Sequence, residues 1–277
     1  MTDTETPQGG TCILFALPEE RKPFLAGLRL AGATLLPETR KSLETSETLP
    51  GFRPRILEFE GAKVIAGVSG VGMLKAAKMA KTLIEADGIN AFILCGFAGA
   101  LSPELQPGDL LLADSVASAS TPYNRYFPDE VLYDAAESLV TDESGSSLKM
   151  RTRSGDLVTS NSVLTSPGEK RALFELTGGF AVDMETMGAV RVAQEYGIPW
   201  LAIRAITDAA DTGLPLDFNA HMDSKGNISY GKVIKSVLSR PAKIPALIQL
   251  GKRSSQAAKN LSSFLTALLR RMPEAEK

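Results

Sequence analysis

Trp200-Leu201-Ala202-Ile203-Arg204-Ala205-Ile206-Thr207-Asp208 is apolar throughout except for one arginine in its middle and two polar residues at its end. Such a run reads as a strand covered on both faces, the kind that sits centrally in a parallel sheet. An arginine inside it is rarely unpaired, and Asp183, Glu185 or Asp208 is the expected partner. Outward from this stretch, further apolar runs at Cys12 to Ala16, Arg55 to Phe59, Lys63 to Gly67, Ala91 to Cys95, Asp109 to Ser115 and Ala181 to Met184 read as strands. Between them, Met73 to Ala86 places Leu74, Ala77, Leu83 and Ile84 against lysines on the other side, and Met187 to Tyr196 places Val190, Ala193 and Tyr196 at helical spacing. Strands alternating with crossover helices predict an α/β domain around a largely parallel sheet.

Composition narrows the chemistry. The 277 residues are 44% hydrophobic and 22% charged, so the chain can bury a substantial core. No apolar run reaches the roughly 18 residues of a membrane span, and the polar, acidic start from Met1 to Thr11 lacks the form of a signal peptide. Cys12 and Cys95 lie inside apolar runs and read as small buried hydrophobes, pointing to a reducing, cytoplasmic setting. His221 is the single histidine and reads as a loop residue, which disfavours a histidine-based nucleophile system, and no zinc-ligand spacing occurs. Carboxylates, hydroxyls, backbone groups or a bound cofactor must do the work. Asp142 to Ser147 reads as a mobile loop inside one domain spanning 1–277.

The C-terminal segment differs from the rest. From Ser224 to Pro273 there are ten Lys or Arg and no Asp or Glu, in a chain of net charge -2. Ile244, Leu247, Ile248, Leu261, Phe264, Leu265, Leu268 and Leu269 recur at helical spacing, interrupted by Gly251 and Ser254-Ser255. Residues of about 230–272 therefore read as a basic helical extension to a core of about 12–212. It is expected either to fold as a hairpin or tail onto the domain or a second subunit, or to lie on an anionic membrane surface.

Two glycine-rich segments follow strands. Gly67-Val68-Ser69-Gly70-Val71-Gly72 precedes a helix, and Gly96-Phe97-Ala98-Gly99 follows Cys95. Both can bring backbone N–H groups close to a ligand at the carboxyl end of a sheet, although a plain tight turn explains either. The dinucleotide order and the P-loop lysine are missing, which disfavours a nicotinamide dehydrogenase.

Three acidic segments carry the functional reading. In Leu17-Pro18-Glu19-Glu20-Arg21 two acids open a helix, where the helix dipole is explanation enough for Glu19. In Ala181-Val182-Asp183-Met184-Glu185 strand alternation points Asp183 and Glu185 one way and Met184 the other. Carboxylates at the mouth of a buried strand need polar partners, and vicinal ribose hydroxyls are such partners. The third segment is the opening strand, ending in Thr207-Asp208.

In this order and spacing, together with Gly96-Phe97-Ala98-Gly99-Ala100-Leu101 and Pro107-Gly108-Asp109, these segments resemble the nucleoside phosphorylase superfamily, particularly the methylthioadenosine/S-adenosylhomocysteine nucleosidases. The resemblance spans about Cys12 to Asp211. It implies a three-layer α/β/α sandwich with a mixed central sheet, usually oligomeric, that cleaves the N-glycosidic bond of a purine nucleoside, adenine being the expected base. It further implies that Glu20 activates the attacking water, that Met184 and Glu185 hold the ribose, and that Asp208 protonates purine N7 with Arg204 and Thr207 beside it. Val163 and Leu164 fall where a base-contacting strand is expected, and Phe97, Ala98, Gly99 and Gly70 line the substrate. Hexameric phosphorylases of this superfamily carry a phosphate-contacting arginine and serine where this chain has Leu94 and Phe97. Phosphate as co-substrate would then depend on Arg21, Arg125 or the Gly70 to Gly72 loop. The Leu214-Pro215 segment and Pro241 to Leu247 resemble hopanoid-associated phosphorylases, which implies an adenosyl-hopane type of substrate.

Physically, protonation of N7 makes the purine a better leaving group, and a positioned acid contributes about 10² to 10⁴ in rate. Burial at a strand end is expected to help Asp208 hold its proton, while Glu185 stabilises the oxocarbenium-like sugar. No metal or organic cofactor is needed, and nucleic acid is not an expected partner. The alternative is a sensor or storage protein that binds a nucleoside without cleaving it.

Overall fold

The computed structural model describes residues 9–37, 54–141, 150–217, 219–221 and 244–272. The stretch from Asp142 to Ser147 and the basic residues from Lys225 to Lys243 lie outside the described residues. In chain order the elements are β1 (Gly10–Phe15), α1 (Pro18–Leu30), β2 (Thr34–Leu35), β3 (Arg55–Phe59), β4 (Ala62–Val68), α2 (Met73–Asp87), β5 (Ile89–Ala100), β6 (Leu110–Ser118), β7 (Thr121–Tyr126) and α3 (Glu130–Thr141). They continue with β8 (Thr152–Thr159), α4 (Pro167–Thr177), β9 (Ala181–Asp183), α5 (Thr186–Glu195), β10 (Trp200–Asp208), a 3-10 turn (Asn219–His221) and α6 (Ile244–Arg271).

All ten strands join one mixed sheet, in the order β10-β6-β8-β9-β5-β1-β4-β3-β2 with β7 beside β6. β10 also pairs with β5, so five of the strands close into a ring. β5 is the branch point. Its first half runs parallel to β1, while its end, Gly99 and Ala100, pairs antiparallel with β9. β10 follows it in parallel along nearly its whole length.

Strand alternation sorts the core into two layers. Cys12 and Leu14 of β1 and Trp200, Ala202 and Ile206 of β10 pack with α2 and α5. Ile13 and Phe15 of β1 and Leu201, Ile203 and Ala205 of β10 pack with α1, α3 and α6. This is the three-layer α/β/α arrangement expected, with a mixed sheet. Arg204 shares its parity with Ala202 and Ile206 and so projects toward α5.

Several local expectations need correction. β5 does not stop at Cys95 but runs on through the glycines, because its second half finds partners in β9 and β10. β9 stops at Asp183, so alternation does not extend to Met184 and Glu185. Residues after Thr159 leave the sheet, and Val163 and Leu164 lie in a loop, not a strand. Gly251 and Ser254-Ser255 interrupt nothing, since Ile244–Arg271 is one continuous helix of 28 residues. Its second half buries Ala257, Leu261, Phe264, Leu265 and Leu268, each large apolar side chain stabilising by about 1.5 to 3 kcal/mol. That interior packing overrides the cost of one helical glycine, about 1 kcal/mol.

Candidate active site

The site forms where the carboxyl ends of β1, β5, β9 and β10 meet. A cavity of about 250 Å³ opens there, and its lining includes Glu20, Phe97, Met184, Glu185 and Asp208. Ala98, Gly99, Val163, Leu164 and Thr207 also line it, as does Asp183. Most of the lining is apolar, with a few convergent polar groups, as in small-molecule sites generally.

Glu20 comes from the first turn of α1. Its Oε2 accepts from the N–H groups of Ala16 and Leu17 at 2.9 and 2.8 Å, capping its own helix, and its Oε1 accepts from Phe97 N at 2.8 Å. Burial pushes this carboxyl above its ordinary range, against the pull of the three backbone donors and of Arg204. Thus a helix-end acid does more than meet the dipole: it reaches across to β5 and ties two strand ends together.

Arg204 lies beneath, 2% exposed. Its Nη2 meets Asp183 Oδ2 at 2.6 Å and its Nε donates to Thr186 Oγ1 at 3.2 Å. Asp183 in turn accepts from Thr159 Oγ1 at 2.6 Å and Thr186 N at 2.9 Å. Of the three expected partners, Asp183 takes the arginine. Breaking such a buried pair costs about 3 to 5 kcal/mol. Among the described residues Arg204 Nη1 has no acceptor. It lies over Gly96, beside the Glu20 carboxylate, since a methyl group on Gly96 would meet Nη1 at 2.5 Å and Glu20 Oε1 at 3.0 Å.

Glu185 occupies the turn between β9 and α5. Its Oε1 accepts from Gly72 N at 2.9 Å and its Oε2 from Met184 N at 3.2 Å. Burial, reinforced by neighbouring Asp183, pushes its carboxyl up to about 8, although Arg204 and the Gly72 N–H favour the charged form. Because β9 has already ended, Met184 also faces the cavity, where alternation had turned it away.

The Gly70 to Gly72 loop is not an open anion cradle. Gly70 N is bonded to Ala16 O, Ser69 N to Phe15 O, and Gly72 N to Glu185; Val71 lines the cavity and Gly70 does not. Arg204 stands behind the cavity wall, lining instead a space of about 10 Å³ with Ser69, Glu185 and Thr186. Arg125 is also spoken for, paired with Asp156 and donating to Ser115 Oγ at 3.0 Å.

Asp208, 6% exposed, ends β10. Thr207 Oγ1 lies 2.7 Å from its Oδ1, and Lys170 Nζ stands 2.5 Å from its Oδ2. The expectation that burial alone would tune this acid missed the lysine. Lys170, from the first turn of α4, is 1% exposed and also donates to Ala209 O at 2.7 Å and Thr212 O at 2.9 Å. The available signal was Ser166-Pro167-Gly168-Glu169: a capping serine, proline in the first turn and glutamate at the third helical position mark a helix start. The structure has that capping box at Ser166, and it aims the next residue at the loop after β10. That loop is stitched down further, with Asn219 bonding both Val163 N and Val163 O at 2.9 and 2.8 Å. α6 contributes Leu250 and Ser254 to the cavity lining, which sequence spacing did not indicate.

Among the described residues no group of histidine, cysteine and acidic side chains could hold a metal ion, and no helix is long and apolar enough to cross a membrane.

The sequence and the fold both have known relatives. Over 193 residues the chain is 25% identical to a 5′-methylthioadenosine/S-adenosylhomocysteine nucleosidase of Mycobacterium tuberculosis, covering 58% of this chain and 76% of that one. It is 25% identical over 192 residues to an aminodeoxyfutalosine nucleosidase of Campylobacter jejuni, covering 64% and 82%. Among solved structures, a Helicobacter pylori 5′-methylthioadenosine/S-adenosylhomocysteine nucleosidase with butyl-thio-DADMe-Immucillin-A superposes with a TM-score of 0.69 at 18% identity, over 96% of this chain and 99% of that one. Residues 11–239 match the model of the phosphorylase superfamily, and the chain belongs to that superfamily.

Proposed function

We propose that the chain is a nucleosidase, cleaving the bond between C1′ of ribose and N9 of adenine with water as the nucleophile. Membership of the superfamily and the nucleosidase relatives support the reaction class. The observation that carries it is the shared cavity: Glu20, Glu185 and Asp208 line one space. A protein that only bound nucleosides would not need an acid at the base end.

In this reading Asp208 delivers a proton to N7 as the C1′–N9 bond lengthens, turning the departing purine into a neutral leaving group. Glu185 accepts hydrogen bonds from ribose hydroxyls and Met184 packs against the sugar. Glu20 takes a proton from the water that attacks C1′, and Arg204 stands behind it, with Nη1 beside the Glu20 carboxylate. Phe97, Ala98, Gly99, Val163, Leu164 and Thr207 surround the base and sugar. Water is favoured over phosphate because, among the described residues, the sole cation lining the cavity is Lys170, and Asp208 already engages it. Apolar Leu17, Val71, Leu214 and Leu250 suit an apolar 5′ substituent. No metal or organic cofactor takes part.

The test is to incubate the protein with adenosine, inosine and methylthioadenosine, with and without phosphate, and to follow free base. Adenine released from methylthioadenosine in the absence of phosphate is expected. Release that requires phosphate replaces the nucleophile; no base from any of the three ends the reading.

Contacts beyond the substrate belong to the same proposal. Leu74 is 88% exposed at the start of α2, beside Val71, and suits a second copy of the chain. In the first turns of α6, the helix that gives Leu250 to the cavity, Ile244 and Ile248 are exposed, with Lys252 one turn beyond Ile248, a combination suited to an anionic membrane surface. Deleting α6 would strip the core, so the vesicle co-sedimentation test uses Ile244→Asp with Ile248→Asp. Unchanged partitioning removes the membrane contact.

A further inference from the structure

Lys170 is buried against the cavity, and the chemistry above gives it nothing to do. Its three N–H donors meet three acceptors: Asp208 Oδ2, Ala209 O and Thr212 O, at 2.5, 2.7 and 2.9 Å. Its side chain is 1% exposed and that of Asp208 is 8% exposed. Stability alone does not account for it, because well-packed apolar residues of similar volume usually match or outperform a buried ion pair. The pair also stands on the cavity wall, not in the core.

We propose that Lys170 is the positioning residue for the acid, so that the departing base is protonated by a Lys170–Asp208 pair sharing one proton. This rests on the nucleosidase reading. The geometry supplies both halves of the role. Lys170 fixes Oδ2 and Thr207 fixes Oδ1, leaving the carboxyl group one rotamer. Removal from water disfavours charge separation and narrows the gap between the ion pair and its neutral form, amine beside carboxylic acid. The proton therefore sits within one short contact of the atom that must deliver it. As the C1′–N9 electron pair moves onto the base, N7 gains basicity and takes that proton through Asp208. The pair is left as a neutral amine beside a carboxylate. Water forms the new C1′–O bond and gives one proton to Glu20, so the site has lost one proton at the pair and gained one at Glu20. Exchange with solvent restores both, and nucleoside plus water has become free base plus ribose.

The experiment compares Lys170→Met with the wild-type full chain on two substrates. One is methylthioadenosine, whose base needs a proton to leave. The other is para-nitrophenyl riboside, whose nitrophenolate leaves without one. The ratio of adenine to nitrophenolate release should fall by about 100-fold in the variant, the scale of a positioned acid. A lysine that merely holds the loop together would slow both substrates equally and leave the ratio in place, overturning the proposal. If Lys170→Met does not fold, Lys170→Gln, which keeps a donor toward Ala209 and Thr212, gives the same readout. Wild-type protein that cleaves neither substrate overturns the nucleosidase reading itself. Wild-type protein that cleaves both, with an unaltered ratio in the variant, overturns only the role of Lys170.

Discussion

Two acids line the same cavity and are held in opposite ways. Glu185 is held by backbone N–H groups, and the nearest cation, Arg204, gives its contact to Asp183 instead. Asp208 has an ammonium in contact and a hydroxyl on its other oxygen. At the first acid, charge is discouraged until something with donors arrives. At the second, a cation is built in. The difference fits the proposed reaction: the acid whose state depends on its visitor suits a polyol, and the acid beside a built-in cation suits a leaving base.

The harshest way to break this comparison is at the base end. Asp208→Asn keeps the size and one acceptor oxygen for Lys170 but has no acidic proton, and adenine release should fall by about 10² to 10⁴. Circular dichroism and the melting curve should show a folded protein. Full activity in a folded Asp208→Asn variant would reassign the acid.

A smaller effect is expected midway between the ends, at Gly96. Its φ of 154° is a conformation other residues rarely adopt, and the space a methyl group would need is held by Arg204 Nη1 and both oxygens of Glu20. Gly96→Ala should cost about 1 to 3 kcal/mol in stability, as overpacked sites do. It should also slow turnover by displacing Glu20 while leaving the Lys170–Asp208 contact in place. A variant with wild-type rate and melting temperature would show that Glu20 and Arg204 move freely, which contradicts their network of bonds.

These positions also show how far the sequence could be read. The strands and crossover helices follow from apolar runs, whereas the three layers and the grouping of Glu20, Glu185 and Asp208 were legible only through the resemblance to the superfamily. Ring closure was hidden because it depends on Gly99 and Ala100 pairing with the three-residue β9, a non-local event with no local periodicity. β8 escaped because Thr152–Thr159 carries Arg153, Ser154 and Asp156 among its first five residues, which read as a loop until their pairing partners are known. Lys170 carries no local mark of burial, since nothing beside it in sequence is its partner, and the approach of the loop after β10 buries it.

At the sugar end the effect is on binding and follows pH. Ribose hydroxyls donating to Glu185 favour its carboxylate, so a ligand should drive off the proton that the free site holds below about 8. Calorimetry on Asp208→Asn, which binds methylthioadenosine without consuming it, should show proton release. Affinity should rise by at most about tenfold per pH unit, the slope for one linked proton, and level off above about pH 8. Adding Glu185→Gln should flatten that slope and weaken binding. If the slope survives the second substitution, the proton belongs to another group and Glu185 is structural.

The smallest effect concerns the fold without a ligand, and its sign follows from the same carboxyl. Below about pH 4.5, the ordinary value, Glu185 is neutral in both folded and unfolded chains and carries no penalty. Between there and about 8 the unfolded chain ionises it while the fold keeps its proton, so its contribution to stability is lost as pH rises across that window. Glu185→Gln is neutral at every pH and escapes this loss. The melting temperature of the variant relative to wild type should therefore climb from pH 4.5 toward pH 8, by on the order of 10 °C for a protein of this size. A gap that stays constant would mean that Gly72 N–H and Arg204 keep Glu185 ionised in the empty site, and the contrast between the two ends of the cavity would vanish.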